Sequence, residues 1–183
     1  MAGNRIVLWR HGQTDWNVVN RFQGHSDIDL NEVGRFQVKH AAQILAGMKP
    51  TMIISSDLGR ARDTAQSLAD LTGLTVEIDE DLRETNGGLW EGKTGAENRA
   101  EDFQNFIRWI DGEDNPAGTT GERRSEVADR AVRAIKKALG EDYFDIVADY
   151  LLENFEFESE EHLLQTMSSL DEATIEEIIS EMI

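Results

Sequence analysis

The chain contains no cysteine. Disulfides, thiolate metal sites and a cysteine nucleophile are therefore excluded together. It also lacks any apolar run long enough to span a bilayer. Met1 to Arg5 leads straight into apolar residues without the form of a signal peptide, so a cytoplasmic location is the expectation. No internal repeat or low-complexity tract interrupts the sequence. Basic residues are missing from the C-terminal segment: residues 141–183 hold 14 of the 36 acidic residues and no Lys or Arg. The formal net charge of −18 is concentrated there, because residues 1–140 carry 22 acidic against 18 basic side chains. That near-balance provides no basic footprint for nucleic acid. The change near residue 140 marks the expected boundary between a domain, 1–140, and an acidic helical segment, 141–183.

A chain of 183 residues can bury one sizeable core. Arg5-Ile6-Val7-Leu8-Trp9 has the nearly all-apolar pattern of a strand covered on both faces. A helix is expected from Asn31 to Gly47, with Ala41, Ile44, Leu45 and Met48 as its core-facing stripe. Met52-Ile53-Ile54 is a second strand. Ser55-Ser56-Asp57 then reads as the N-cap region of a helix over Leu58 to Leu71. Thr75 to Ile78 is a third strand, 79–97 is loop-like, and a short helix covers 98–110. After the loop Asn115 to Gly121, a helix over Arg124 to Leu139 aligns Val127, Ala131, Ile135 and Leu139. This alternation implies an α/β fold, a three-layer α/β/α sandwich with a mostly parallel sheet. The tail reads as three short helices. Their stripes are Phe144, Val147, Leu151 and Phe155; then Leu163, Leu164, Met167 and Leu170; then Ile175, Ile178, Ile179 and Met182. Ser169 and Glu172 are spaced as a capping box.

Chemistry concentrates at the ends of these elements. Arg10-His11-Gly12 follows the first strand, where open α/β sheets place their sites. A neutral imidazole is a capable nucleophile towards phosphorus, and a guanidinium can hold phosphoryl oxygens in a fork. Arg60 lies in the first turn of a helix that follows a strand, where side chain and helix N-terminus can both face an anion. Arg21, Gln23 and Gly24 sit in the loop after the histidine. Glu84 lies in a glycine-bracketed loop after the third strand. A carboxyl there, near a phosphate and shielded from water, should have a raised pKa suited to protonating a leaving group. Taken singly, each arginine and Glu84 is better explained by a surface ion pair or a cap.

Taken together, these stretches resemble the histidine phosphatase superfamily, also called phosphoglycerate mutase-like. The carriers are Arg10-His11-Gly12-Gln13-Thr14 with Asn17, then Arg21, Gln23, Gly24 and Asp27. Ser55-Ser56-Asp57 with Arg60, Thr64 and Ala65 adds a second segment. Leu82-Arg83-Glu84 with Gly88, Trp90 and Gly92 adds a third. The resemblance covers about residues 5–140. It implies that His11 takes the phosphoryl group as a phosphohistidine and that Arg10 and Arg60 hold the phosphate oxygens. Asn17, Gln23 and Gly24 would line the pocket, and Glu84 would donate a proton and later activate water. No metal or organic cofactor is implied. Within the superfamily, Arg10 to Gly24 and Leu82 to Thr85 are most similar to actinobacterial glucosyl-3-phosphoglycerate phosphatases. The modest segment between Trp90 and Gly121 favours a phosphatase over a mutase.

The sequence departs from that pattern beyond Leu139. The family has a second histidine in a His-Gly motif on a late strand beside the nucleophile strand. Of His11, His25, His40 and His162, only His11 precedes a glycine, and residues 141–183 offer no strand. A truncated fold with an acidic helical tail is the expectation. The leading reading is a phosphomonoester hydrolase for a small phosphorylated metabolite. The alternatives are mutase-type transfer and a catalytically impaired phosphate-binding protein whose acidic tail contacts another chain. A homodimer is compatible with all three, and neither nucleic acid nor membrane is an expected partner.

Overall fold

The computed structural model describes residues 5–139 and, beyond them, 150–152, 154, 155, 157, 159–170, 174 and 178. The chain divides into two compact units, Met1–Ala131 and Val132–Ile183. In the first unit the regular elements are α1 (Asp15–Val18), α2 (Glu32–Ala46), β1 (Ile53–Ser55), α3 (Gly59–Thr72), β2 (Val76–Ile78), α4 (Gly95–Glu101) and α5 (Phe103–Ile110). The helix α6 (Arg124–Leu139) begins there. Helices and a small open parallel sheet give the expected α/β/α-like arrangement. Among the described residues that sheet has two strands, with Ile53 opposite Val76 and Ser55 opposite Ile78. Parallel neighbours need a crossover, and α3 provides it. Ala42, Ile53, Ala65, Leu68 and Ala69 form the buried core, with Trp9, Leu45 and Val76 packed against it.

Three local expectations change. Arg5–Trp9 is in no strand: Ile6, Val7 and Leu8 are 50, 47 and 84% exposed. No segment among the described residues pairs with it, so its backbone lacks the ladder that defines a strand. Only Trp9 packs on the core. On α2 the buried face is Gly34, Val38 and Ala42, while Ile44 and Met48 are exposed. Small residues set that choice. A Cβ on Gly12 would lie 2.6 Å from the Gly34 carbonyl oxygen, and one on Gly34 would collide with Gln13. The histidine loop thus sits directly against the α2 backbone, and the helix must turn that face inwards. On α3 the N-cap is Leu58, without a side-chain cap. Asp27 from a distant loop accepts from the Gly59 N–H at 2.7 Å instead, because Asp57 is engaged by Arg83.

The single helix expected over 98–110 is two, broken at Asp102, whose φ is −138° and ψ 56°. The α5 helix then brings Phe106 and Trp109 edge-on to Trp90, with ring centroids 5.5 and 5.8 Å away. Phe22 approaches Trp90 likewise at 6.2 Å. On α6 the expected stripe is half-buried at Val127 and Ala131, whereas Arg130 is buried. In the second unit, α7 (Glu160–Ser169) starts at Ser159, whose side chain accepts from the His162 N–H. Leu151, Leu163, Met167 and Ile178 form a cluster with Tyr150, Phe157 and Leu170 against it. Phe155 is exposed rather than part of that stripe. Phe144, Val147, Glu172, Ile175, Ile179, Met182 and the Leu164 side chain lie outside the described residues.

Trp90 is 2% exposed and touches three aromatic rings. Trp90→Ala is expected to lower unfolding stability by about 3–5 kcal/mol. A drop in denaturant midpoint at unchanged m value would register it.

Candidate functional site

His11 is oriented by its neighbour. Its Nδ1–H donates to the Gly12 carbonyl at 2.7 Å, which leaves Nε2 unprotonated in the neutral ring. That Nε2 is buried and has no hydrogen-bond partner among the described residues. Burial pushes the imidazole below its ordinary pKa of 6.5, and the positive charges of Arg60 and Arg10 push it the same way. The Gly12 hydrogen bond and the Glu84 carboxylate act in the opposite direction. The ring is therefore held neutral with a free lone pair, in the field of the three charged residues expected around it.

The other expected residues divide by role. Arg60 is 1% exposed. It donates to the Gly24 carbonyl at 2.7 Å and the Ser26 carbonyl at 2.8 Å, so its fork already shapes the loop after the histidine. Its Nε is buried and unpartnered. Gly24 needs its glycine: φ is +54°, and a Cβ there would collide with Glu91. Gln23 is buried and accepts from the Thr14 hydroxyl at 2.8 Å. Asn17 accepts from the Thr14 N–H at 2.9 Å, closing a capping box on α1. Arg10 is exposed. With Asn17, Arg21, Phe22, Asn98 and Phe106 it lines a cavity of about 320 Å³, which neither His11 nor Arg60 lines. Glu84 is exposed, so the shielding from water that its loop suggested is not provided.

Asp27, named above only as part of the first motif, and three groups that sequence reasoning passed over, Glu91, Arg130 and Glu122, hold these residues in place. Glu91 accepts from the His25, Ser26 and Gly87 N–H groups and from the Ser26 hydroxyl. Its pKa is lowered: burial opposes the charge, and these hydrogen bonds outweigh it. Asp27 caps α3. Arg130 and Glu122 bind the Glu84 loop. Only spacing hinted at them, as the Trp90-Glu91-Gly92 and Gly121-Glu122 steps. Among the described residues no group of three or more His, Asp or Glu could hold a metal ion. No helix among them is long and apolar enough to cross a membrane.

The model of the histidine phosphatase superfamily, branch 1, matches residues 6–148. The chain belongs to this superfamily. It is 46% identical over 132 residues to a glucosyl-3-phosphoglycerate phosphatase of Mycobacterium tuberculosis (strain H37Rv), covering 72% of this chain and 58% of that protein. A phosphatase of the same name from Mycolicibacterium vanbaalenii is 45% identical over the same shares. The chain thus spans 58% of the length of these histidine phosphatase relatives. Among solved structures, mycobacterial glucosyl-3-phosphoglycerate phosphatase complexed with VO3 matches with a TM-score of 0.67 at 42% identity, over 71% of this chain and 64% of that one. Bacillus stearothermophilus YhfR matches with a TM-score of 0.65 at 35% identity, over 72 and 65%.

The depressed imidazole pKa has a consequence for stability. Below 6.5 the unfolded chain takes up a proton at His11 more readily than the folded one. Acidification through that value therefore weakens folding, down to the lower folded pKa. Denaturant titrations at a series of pH values should show this loss, and His11→Gln should remove its share of the slope. The His11 ring resonances should titrate with a midpoint below 6.5.

Proposed function

We propose that this chain hydrolyses the phosphomonoester of a small metabolite through a phosphohistidine on His11. The observation that carries the reading is the buried, unpartnered Nε2 of His11, in a fixed tautomer, under the fields of Arg60, Arg10 and Glu84. A free imidazole lone pair in the field of two guanidinium groups suits attack on a phosphoryl group, whose transfer depends on positioning and charge stabilisation.

In the first step the Nε2 lone pair forms the N–P bond as the ester P–O bond breaks. The guanidinium charges of Arg10 and Arg60 offset the negative charge on the phosphoryl oxygens. Glu84 gives its carboxyl proton to the departing alkoxide. In the second step water gives a proton to the Glu84 carboxylate and attacks phosphorus. The N–P bond breaks, orthophosphate leaves and His11 returns neutral. Asn17, Gln23 and Gly24 are assigned to the wall of the phosphate pocket, with Asn17 and Gln23 tied to Thr14 and Gly24 to Arg60. We assign no cofactor to either step. As substrate, glucosyl-3-phosphoglycerate is supported by the names of the relatives at 46 and 45% identity. The solved complexes of such a relative with VO3 and inorganic phosphate support phosphate recognition.

The wild-type chain should release orthophosphate from p-nitrophenyl phosphate and from phosphoglycerate esters. His11→Ala should lose about 10³-fold or more of that rate. A radiolabelled substrate should leave acid-labile label on the wild type alone. Turnover equal in the two proteins would remove the proposal, and an isomerised ester without orthophosphate would replace it with mutase chemistry. Glu84→Gln should lose about 10²–10⁴-fold with an alkyl phosphate, measured as kcat.

A further inference from the structure

Glu84 has little of its own to hold it. The side chain is exposed, and among the described residues it accepts a single, local hydrogen bond, from the Thr85 N–H at 3.1 Å. Its backbone is gripped instead. Arg130 is 9% exposed despite its charge, and all five guanidinium donors are engaged. Nε donates to Glu122 Oε1 at 2.8 Å. Nη1 donates to the carbonyls of Asp81 and Arg83, each at 2.7 Å. Nη2 donates to the Glu84 carbonyl at 3.0 Å and to Glu122 Oε2 at 2.9 Å. Glu122 Oε2 also accepts from the Asn86 N–H at 2.7 Å. One guanidinium–carboxylate pair thus holds peptide groups on both sides of Glu84. The His25 ring adds a bond from Nε2–H to the same Glu84 carbonyl at 3.0 Å.

Space-filling alone does not call for this arrangement. An apolar side chain would fill the volume without the desolvation of a cation, though it would take a donor from three loop carbonyls, of which that of Glu84 alone keeps the His25 bond described above. The geometry points to Arg130, paired with Glu122, as the positioning residue for the Glu84 carboxyl. It fixes the backbone of 81–86 so that the carboxyl meets the leaving-group oxygen. This rests on the reading of Glu84 as a proton donor.

Leaving-group dependence separates positioning from mere stability. p-Nitrophenolate is a weak base and departs without a proton, whereas an alkoxide needs one. Arg130→Met, Arg130→Lys and Glu122→Gln would be made in the full chain. Each would be assayed with p-nitrophenyl phosphate and with 3-phosphoglycerate, an alkyl ester. Amide exchange over 81–86 would be read in parallel. The expected result is a kcat for the alkyl ester that falls about tenfold or more beyond any fall for the aryl ester. KM should be little changed, Arg130→Lys intermediate, and the Asn86 amide faster to exchange. Equal losses on both esters in an active, folded variant would overturn the proposal. Should Arg130→Met fail to fold, the other two variants decide by the same ratio. A wild type that turns over neither ester defeats the phosphatase reading instead. The exchange data then decide alone, and an Asn86 amide unchanged by Arg130→Lys and Glu122→Gln overturns the brace.

Discussion

The fork of Arg60 on the carbonyls of Gly24 and Ser26 is the contact on which the site most depends. Loops carry almost every group of interest, and a buried loop has peptide groups that no ladder satisfies. Here charged side chains satisfy them. Arg60 takes carbonyls of the 24–26 turn, Glu91 takes amides of the same turn, and Asp27 takes the first amide of α3. Hydrogen bonds to ionised groups are worth about 1.5–3 kcal/mol each, more than neutral ones. The turn is thereby pinned from both polarities at once. Losing one partner leaves a buried charge or a buried peptide group exposed to the full desolvation cost.

The same contact serves the electrostatics. Arg60 is anchored through its two terminal nitrogens, and its charge is thereby held where it bears on the His11 ring. A mobile arginine would average that field and accept counter-ions from solvent. Burial of the imidazole and the fixed cation act in one direction, and together they outweigh the Gly12 hydrogen bond and the Glu84 charge. Glu84, by contrast, is itself exposed and held only through its backbone neighbours.

The local pattern was legible wherever chemistry is written within a few residues. Asn31 caps α2 with its side chain and Gly47 follows its last residue, and Ile53–Ser55 and Val76–Ile78 lie within a residue of where the sequence pattern placed them. The histidine motif led to the superfamily that the match over 6–148 establishes. What failed depends on distant partners. The apolar run Arg5–Trp9 has the composition of a strand, but strand formation also needs a neighbour. The α2 stripe of Ala41, Ile44, Leu45 and Met48 is periodic, and Leu45 does pack on the core, yet Gly34 and Val38 lie against the histidine loop, so the buried face is rotated away from Ile44 and Met48. Arg130, Glu122 and Glu91 look in sequence like solvated charges. Only the fold reveals which loops they reach.

The bond from the His11 ring to the Gly12 carbonyl spans a single peptide unit. Closing so short a loop takes almost no chain entropy beyond that of the turn itself. Which nitrogen of the imidazole keeps its lone pair is consequently settled by two consecutive residues, while Gly12 itself is seated by the α2 backbone and by the Thr64 hydroxyl. The proton position on the ring and the seat of the turn thus have separate causes, one local and one tertiary.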